Sequence, residues 1–203
     1  MKKGGTGGAN TNRGGLAFEK KTDLSARIRR DLSDIYDLKE HVYRPDDLVI
    51  KTSTPTYEVI RKVDNHLVGL ITKQFAFYDA LKETTGLENT NHKKWKPDEA
   101  FFNFDVNSVF VVEKKWQNGS GSVDEKMFGF VNKRRLYQRI FDNLSIEPKP
   151  SVQFSALFNK SWFLYGGNDQ YTDQYQDYFD SLREDAIKIF FDDYEYWWFG
   201  LEG

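Results

Sequence analysis

Leu24, Ile28, Leu32 and Ile35 recur at helical spacing with charged residues on the opposite face, which predicts an amphipathic helix from about Gly15 onward. The period then changes. Residues 57–63 and 67–72 are β-branched and apolar runs around Asp64-Asn65-His66, the pattern of a hairpin. Phe75, Tyr78 and Leu81, with Ala76 and Ala80 beside them, give a short helix stopped at Gly86. Two strands follow, 98–104 and 109–115, joined by a turn at Asp105-Val106-Asn107-Ser108. From Val123 to Leu144 one apolar stripe, including Met127, Phe130, Tyr137, Ile140 and Phe141, predicts a long helix opened by an S-x-x-E capping box at Ser122 and Glu125. Residues 151–158 alternate as a strand, 161–165 read as another, Tyr175 to Ala186 carry a second amphipathic helix, and 187–191 form a last buried strand.

Between these elements, residues 41–56 contain Pro45 and Pro55 and read as a loop with a short strand at 48–51. Residues 1–15 hold six glycines and read as a flexible arm, leaving 16–203 as a single domain. With 39% apolar and 16% aromatic residues in 203, the chain can bury one sizeable core. It has no cysteine and no apolar run near 18 residues, so neither a disulfide scaffold nor a zinc-thiolate site nor a membrane span is expected. No apolar segment follows Lys2 and Lys3, so no secretory signal is read and a cytoplasmic location is the expectation. A net charge of −2 gives no overall pull toward nucleic acid. Locally, Lys126, Lys133, Arg134, Arg135 and Arg139 form a basic run with no acid in it.

The candidate chemistry lies in the hairpin of the middle third. In strand 109–115 side chains alternate, so Glu113 and Lys115 share a face with Val109 and Val111 while Lys114 points the other way. If Phe104 pairs near Val109, Asp98 falls opposite Lys115 or a residue next to it, and the hairpin gathers Asp98, Glu113 and Lys115 at one end of the sheet. Asp105 lies at the turn, about five residues or roughly 17 Å of strand from Glu113, too far to share a metal. Two carboxylates without a histidine or cysteine nearby make a hard oxygen site suited to Mg²⁺. Such an ion can activate water for attack on a phosphodiester, with Lys115 orienting the water or stabilising charge. By spacing alone, Glu19 is a solvated helix acid. His92, Lys93 and Lys94 lie in a polar segment able to touch phosphate.

Pro97-Asp98 followed by Glu113-Lys114-Lys115, with 14 residues between the two acids, resembles the signature of the PD-(D/E)XK nuclease superfamily. The flanking PDEAFF, VFVVEKKWQ, GSVDEK and NRGGLAFEKKTDL are similar to segments of type II restriction endonucleases. The resemblance runs from about Asn12 to Phe191 and implies an α/β fold with a restriction-endonuclease-like αβββαβ core, a mixed central sheet flanked by helices. It further implies Asp98 and Glu113 as metal ligands for Mg²⁺, the Lys114 carbonyl as a third, Lys115 as the catalytic lysine and Glu19 as a further active-site acid. Gln117, two positions past the lysine, Lys126, Lys133 and Arg134 on the basic helix, and Lys93 and Lys94 are the candidate DNA contacts. The N-terminus of that helix would face a phosphate. The implied activity is sequence-specific cleavage of double-stranded DNA by a homodimer, with a companion DNA methyltransferase in the host and no membrane partner. A structure-selective or repair nuclease of the same fold, and a non-catalytic DNA-binding module, are the competing expectations.

Overall fold

The computed structural model describes residues 7–44, 54–88, 90–119, 123–145 and 147–202. Its centre is a seven-stranded sheet whose spatial order follows the sequence: β1 (Tyr36–Glu40), β2 (Tyr57–Arg61), β3 (His66–Thr72), β4 (Glu99–Asn103), β5 (Ser108–Lys115), β6 (Ser151–Phe158) and β7 (Ile187–Phe191). Pairing is antiparallel from β1 to β5 and parallel from β5 to β7. The chain is therefore α/β, with a mixed open sheet flanked by helices. The central strands are apolar on both faces, as strands covered on both sides must be. Ala100, Phe102, Val109, Val111 and Phe154 pack under α3 (Ala76–Thr85), α5 (Phe130–Asp142) and α7 (Gln176–Glu184). Phe101, Phe110, Val112, Leu157 and Phe190 face α1 (Gly7–Lys21), α2 (Leu24–Asp31) and a C-terminal 3-10 turn at Tyr196–Phe199.

The first helix is two helices. Thr22 Oγ donates back to the Phe18 carbonyl at 2.7 Å, and the Asp23 carboxylate accepts from the Ala26 N–H at 3.0 Å, so Asp23 caps a new helix. α1 begins at Gly7, inside the stretch expected to be an arm; residues 1–6 lie outside those described. The long helix expected over 123–144 is also divided, into α4 (Val123–Met127) and α5. Met127 and Phe130 are both buried, and the chain between them turns at Phe128-Gly129 with the Gly129 N–H donating to the Lys126 carbonyl at 3.1 Å. Ser122 of the expected capping box, and the expected strand at 48–51, lie outside the described residues. Where a strand was expected over 161–165, a short helix α6 (Lys160–Phe163) follows Asn159. Asn159 is held by its side chain on the Gln117 backbone, accepting the N–H at 2.8 Å and donating to the carbonyl at 2.9 Å. β1 carries no clear strand signal in the sequence because only Tyr36 and Leu38 turn inward while Asp37, Lys39 and Glu40 are exposed, the charged pattern of an edge strand.

The β4–β5 pairing is shifted by two from the expected register, with a four-residue turn as expected. Phe102, not Phe104, lies opposite Val109, and Glu99 lies opposite Val112. Asn103 tightens the turn: its Oδ1 accepts the N–H groups of Asp105 at 2.9 Å and Val106 at 3.3 Å, and Asn107 closes it with φ 47°. Continued one step, this register puts Asp98 opposite Glu113 rather than Lys115.

Candidate functional site

Asp98 stands immediately before β4, and its Oδ2 accepts the Lys114 N–H of β5 at 2.7 Å. Glu113 and Lys115 project from β5 on the face of α5. Lys115 Nζ lies 3.0 Å from Glu113 Oε2 and 3.8 Å from Asp98 Oδ2, so those two carboxylate oxygens are no further apart than the two contacts laid end to end. The Lys114 carbonyl oxygen accepts from Lys115 Nζ at 2.9 Å and so faces the same space. The predicted trio thus meets at one end of the sheet. Asp105 is at the other end, taken up by His66 Nε2 at 2.6 Å and Arg61 at 3.3 Å.

Burial pushes the Asp98 carboxyl above the usual carboxylate range; Lys115 pulls against this and Glu113 adds to it. Glu113 is 3% exposed, with Oε2 accepting from two ammonium groups while Oε1 is buried with no hydrogen-bond partner among the described residues. Among the described residues, the outer Asp98 oxygen, Oδ1, has only a long 3.5 Å contact from Gln74 Nε2. The acid pair therefore keeps acceptor capacity that the protein leaves unused.

Glu19 faces the same cleft as Asp98. From α1 it lines, with Asp98, Lys114, Lys115, Trp116 and Lys126, a cleft of about 270 Å³. It also lines an adjoining cleft of about 290 Å³ with Lys20, Lys73 and Gln74. Partial burial, and then the Asp98 charge, hold its carboxyl above the usual range. What anchors α1 there is an ion pair that sequence reasoning missed. Lys114 and Glu99, on the opposite face from Glu113, are paired at 2.9 Å with both side chains 2% exposed. Lys114 Nζ also donates to the Thr22 carbonyl at 2.7 Å and the Glu19 carbonyl at 3.3 Å. Glu99 in turn accepts the Leu24 N–H at 3.0 Å and the Tyr194 hydroxyl at 3.1 Å. The alternation that put Lys114 on that face was legible, and Glu99 beside Asp98 has the same parity.

The candidate DNA contacts separate. Lys126 is exposed on the cleft rim. Lys93 and Lys94 are exposed, with Lys93 Nζ 4.5 Å above the Trp95 ring. Lys133 is not an outer contact: its Nζ lies 2.8 Å from Glu113 Oε2, inside the site. Arg134, one residue on, is turned about 100° around α5 and donates to the Asp185 carbonyl at 2.9 Å, away from the cleft. Gln117 is 4% exposed and folds onto Gly119, donating to its carbonyl at 2.6 Å. β5 ends at Lys115, so strand alternation no longer governs where Gln117 points. The basic helix expected to aim its dipole at a phosphate contributes here only the five-residue α4.

Comparisons of the chain with protein-family models, with curated proteins and with solved structures find no match. Among the described residues, no helix is long and apolar enough to cross a membrane.

Proposed function

We propose that this protein is an Mg²⁺-dependent endonuclease of the restriction-endonuclease-like fold that hydrolyses phosphodiester bonds of double-stranded DNA at a specific sequence. The observation that carries the reading is the acid pair: Asp98 and Glu113 on adjacent strands, each with an oxygen free to ligate, and one lysine within 4 Å of both. The donor set fits the ion. It is all oxygen, it includes a buried carboxylate oxygen without a partner, and the Lys114 carbonyl faces the same space. No three His, Cys, Asp or Glu side chains gather among the described residues, so the set is a pair completed by backbone, substrate and water, as Mg²⁺ sites commonly are.

When bound, Mg²⁺ would supply a Lewis acid and a water of lowered pKa. Asp98 is fixed for ligation by the Lys114 N–H, and Glu113 by Lys115. Lys115, fully positioned by Glu113 and the Lys114 carbonyl, directs an ammonium N–H toward the attacking oxygen or the developing phosphorane charge. Glu19, across the cleft with a raised proton affinity, is placed to accept a proton from water on the substrate side. Two copies of the chain would meet a palindromic site through matching two-fold symmetry.

Digestion of plasmid DNA with Mg²⁺, followed by sequencing of the ends, tests the reading. Discrete fragments with common termini support it. Smearing, or cutting confined to branched DNA, would move the protein to a structure-selective nuclease, and no cutting of any substrate would leave a DNA-binding module.

A further inference from the structure

Two lysines, not one, neutralise the acid pair. Lys133 Nζ is 2.8 Å and Lys115 Nζ 3.0 Å from the same oxygen, Glu113 Oε2. The site thus holds two carboxylates and two ammonium groups, a balanced set before any metal arrives. The lysines are held unequally. Lys115 also has Asp98 Oδ2 at 3.8 Å, the Lys114 carbonyl at 2.9 Å and the Phe130 ring beneath it at 5.4 Å. Lys133 has Glu113 as its one carboxylate among the described residues, is 25% exposed, and stands 6.0 Å from the ring of Trp95, whose other near cation is Lys93.

Resting on the reading of Asp98 and Glu113 as an Mg²⁺ site, we propose that Lys133 is a placeholder cation. It occupies Glu113 until the metal binds, then transfers its ammonium to a phosphate of the bound strand. A divalent ion on the acid pair gives these four groups two surplus positive charges, and in a partly buried site like charges at this range repel strongly. The less tethered ammonium leaves. Its stem is long and flexible, its side chain is partly exposed, and an incoming phosphodiester supplies the negative charge it has given up. Lys133 then touches substrate, which makes it a second catalytic lysine rather than a contact on the outer face of the basic helix.

Calorimetric titration of the DNA-free full chain with Mg²⁺ tests the first half. Lys133→Gln removes the competitor, so affinity for Mg²⁺ rises about tenfold, the scale on which groups adjoining a metal's ligands tune it. Duplex binding in Ca²⁺ tests the second half. The slope of log affinity against log salt falls by about 0.9 in the variant, the change that follows when one phosphate is no longer neutralised. Lys133→Met, which keeps the aliphatic stem against Trp95, gives the same two readouts if the Gln variant does not fold. Unchanged or weakened Mg²⁺ affinity, or an unchanged salt slope, overturns the proposal. Wild-type chain that takes up no Mg²⁺ with or without DNA overturns the metal site itself. Wild-type uptake with an unaltered variant overturns only the role of Lys133.

Discussion

The Lys114 N–H donates to Asp98 Oδ2 at 2.7 Å, so the aspartate is fastened to the strand that carries Glu113. Asn at position 98 can keep that bond through its carbonyl oxygen but brings no charge to a metal. Asp98→Asn is therefore expected to fold and melt within a few degrees of wild type while Mg²⁺-dependent cleavage falls on the order of 10³-fold, about 4 kcal/mol of transition-state stabilisation. Single-turnover cleavage of the preferred substrate measures this. Retained cutting would remove Asp98 from the chemistry.

The same substitution carries a pH signature in metal-free protein. Because burial holds the Asp98 carboxyl above its usual range, the folded chain binds its proton more tightly than the unfolded chain. Stability therefore falls as pH rises from the ordinary carboxylate value through the raised one. Asp98→Asn does not undergo this fall. Urea unfolding in a chelator should show the variant ahead of wild type at neutral pH, with the gap closing on acidification; a gap that does not change with pH contradicts the expectation.

Lys115 lies near both acids, and on the proposed mechanism its removal should separate binding from chemistry. Lys115→Met is expected to bind duplex in Ca²⁺ within a few-fold of wild type and to cut 10²- to 10³-fold more slowly, roughly the effect of removing one charge-stabilising donor. Equal cleavage by variant and wild type would favour a contaminating nuclease or a lysine without a role.

Breaking the pair on the other face of the strand should show first in stability. With Lys114 and Glu99 both 2% exposed, Lys114→Met leaves a buried carboxylate without its closest cation and is expected to cost about 3 kcal/mol in denaturant unfolding. Adding Glu99→Gln should recover part of that. A double variant no better than the single would mean that the pair is not coupled.

His41 gives the opposite pH slope to a carboxylate that is ionised only in the folded chain, and its stability window lies higher than that of Asp98. Burial alone would lower its pKa, but Glu58 at 2.8 Å and Glu83 at 2.6 Å, one on each ring nitrogen, outweigh it and raise it. Its contribution is complete below the ordinary histidine value and disappears as pH rises through the raised one. His41→Gln should flatten that stretch of the stability profile in chemical denaturation, and an unchanged profile would place the dependence elsewhere.

The apolar runs of β2 to β7 and the stop at Gly86 were legible because strand and helix periods are local. The breaks at Asp23 and Gly129 were less so, since each follows from what the flanking turns pack against. Asp98, Glu113 and Lys115 could be placed together by parity along two paired strands, and a two-residue error in register did not separate them, because a shift of two preserves the face. Parity has no hold beyond the strand end, which is why Gln117 folds inward against expectation. Helix spacing alone could not tell Lys133 from Arg134: one faces Glu113 and the other the Asp185 carbonyl, a distinction set by how α5 is rotated on the sheet.

Gly14 lies on α1 where a Cβ would run into the indole ring of Trp116, the residue after the proposed catalytic lysine. At this point the helix rests directly against the ring, with no room for even a Cβ between them. The ring thus spaces α1 from the strand end, and Glu19 stands about one and a half turns further along the same helix. Enlarging position 14 would widen the gap while leaving every residue of the acid and lysine cluster in the chain.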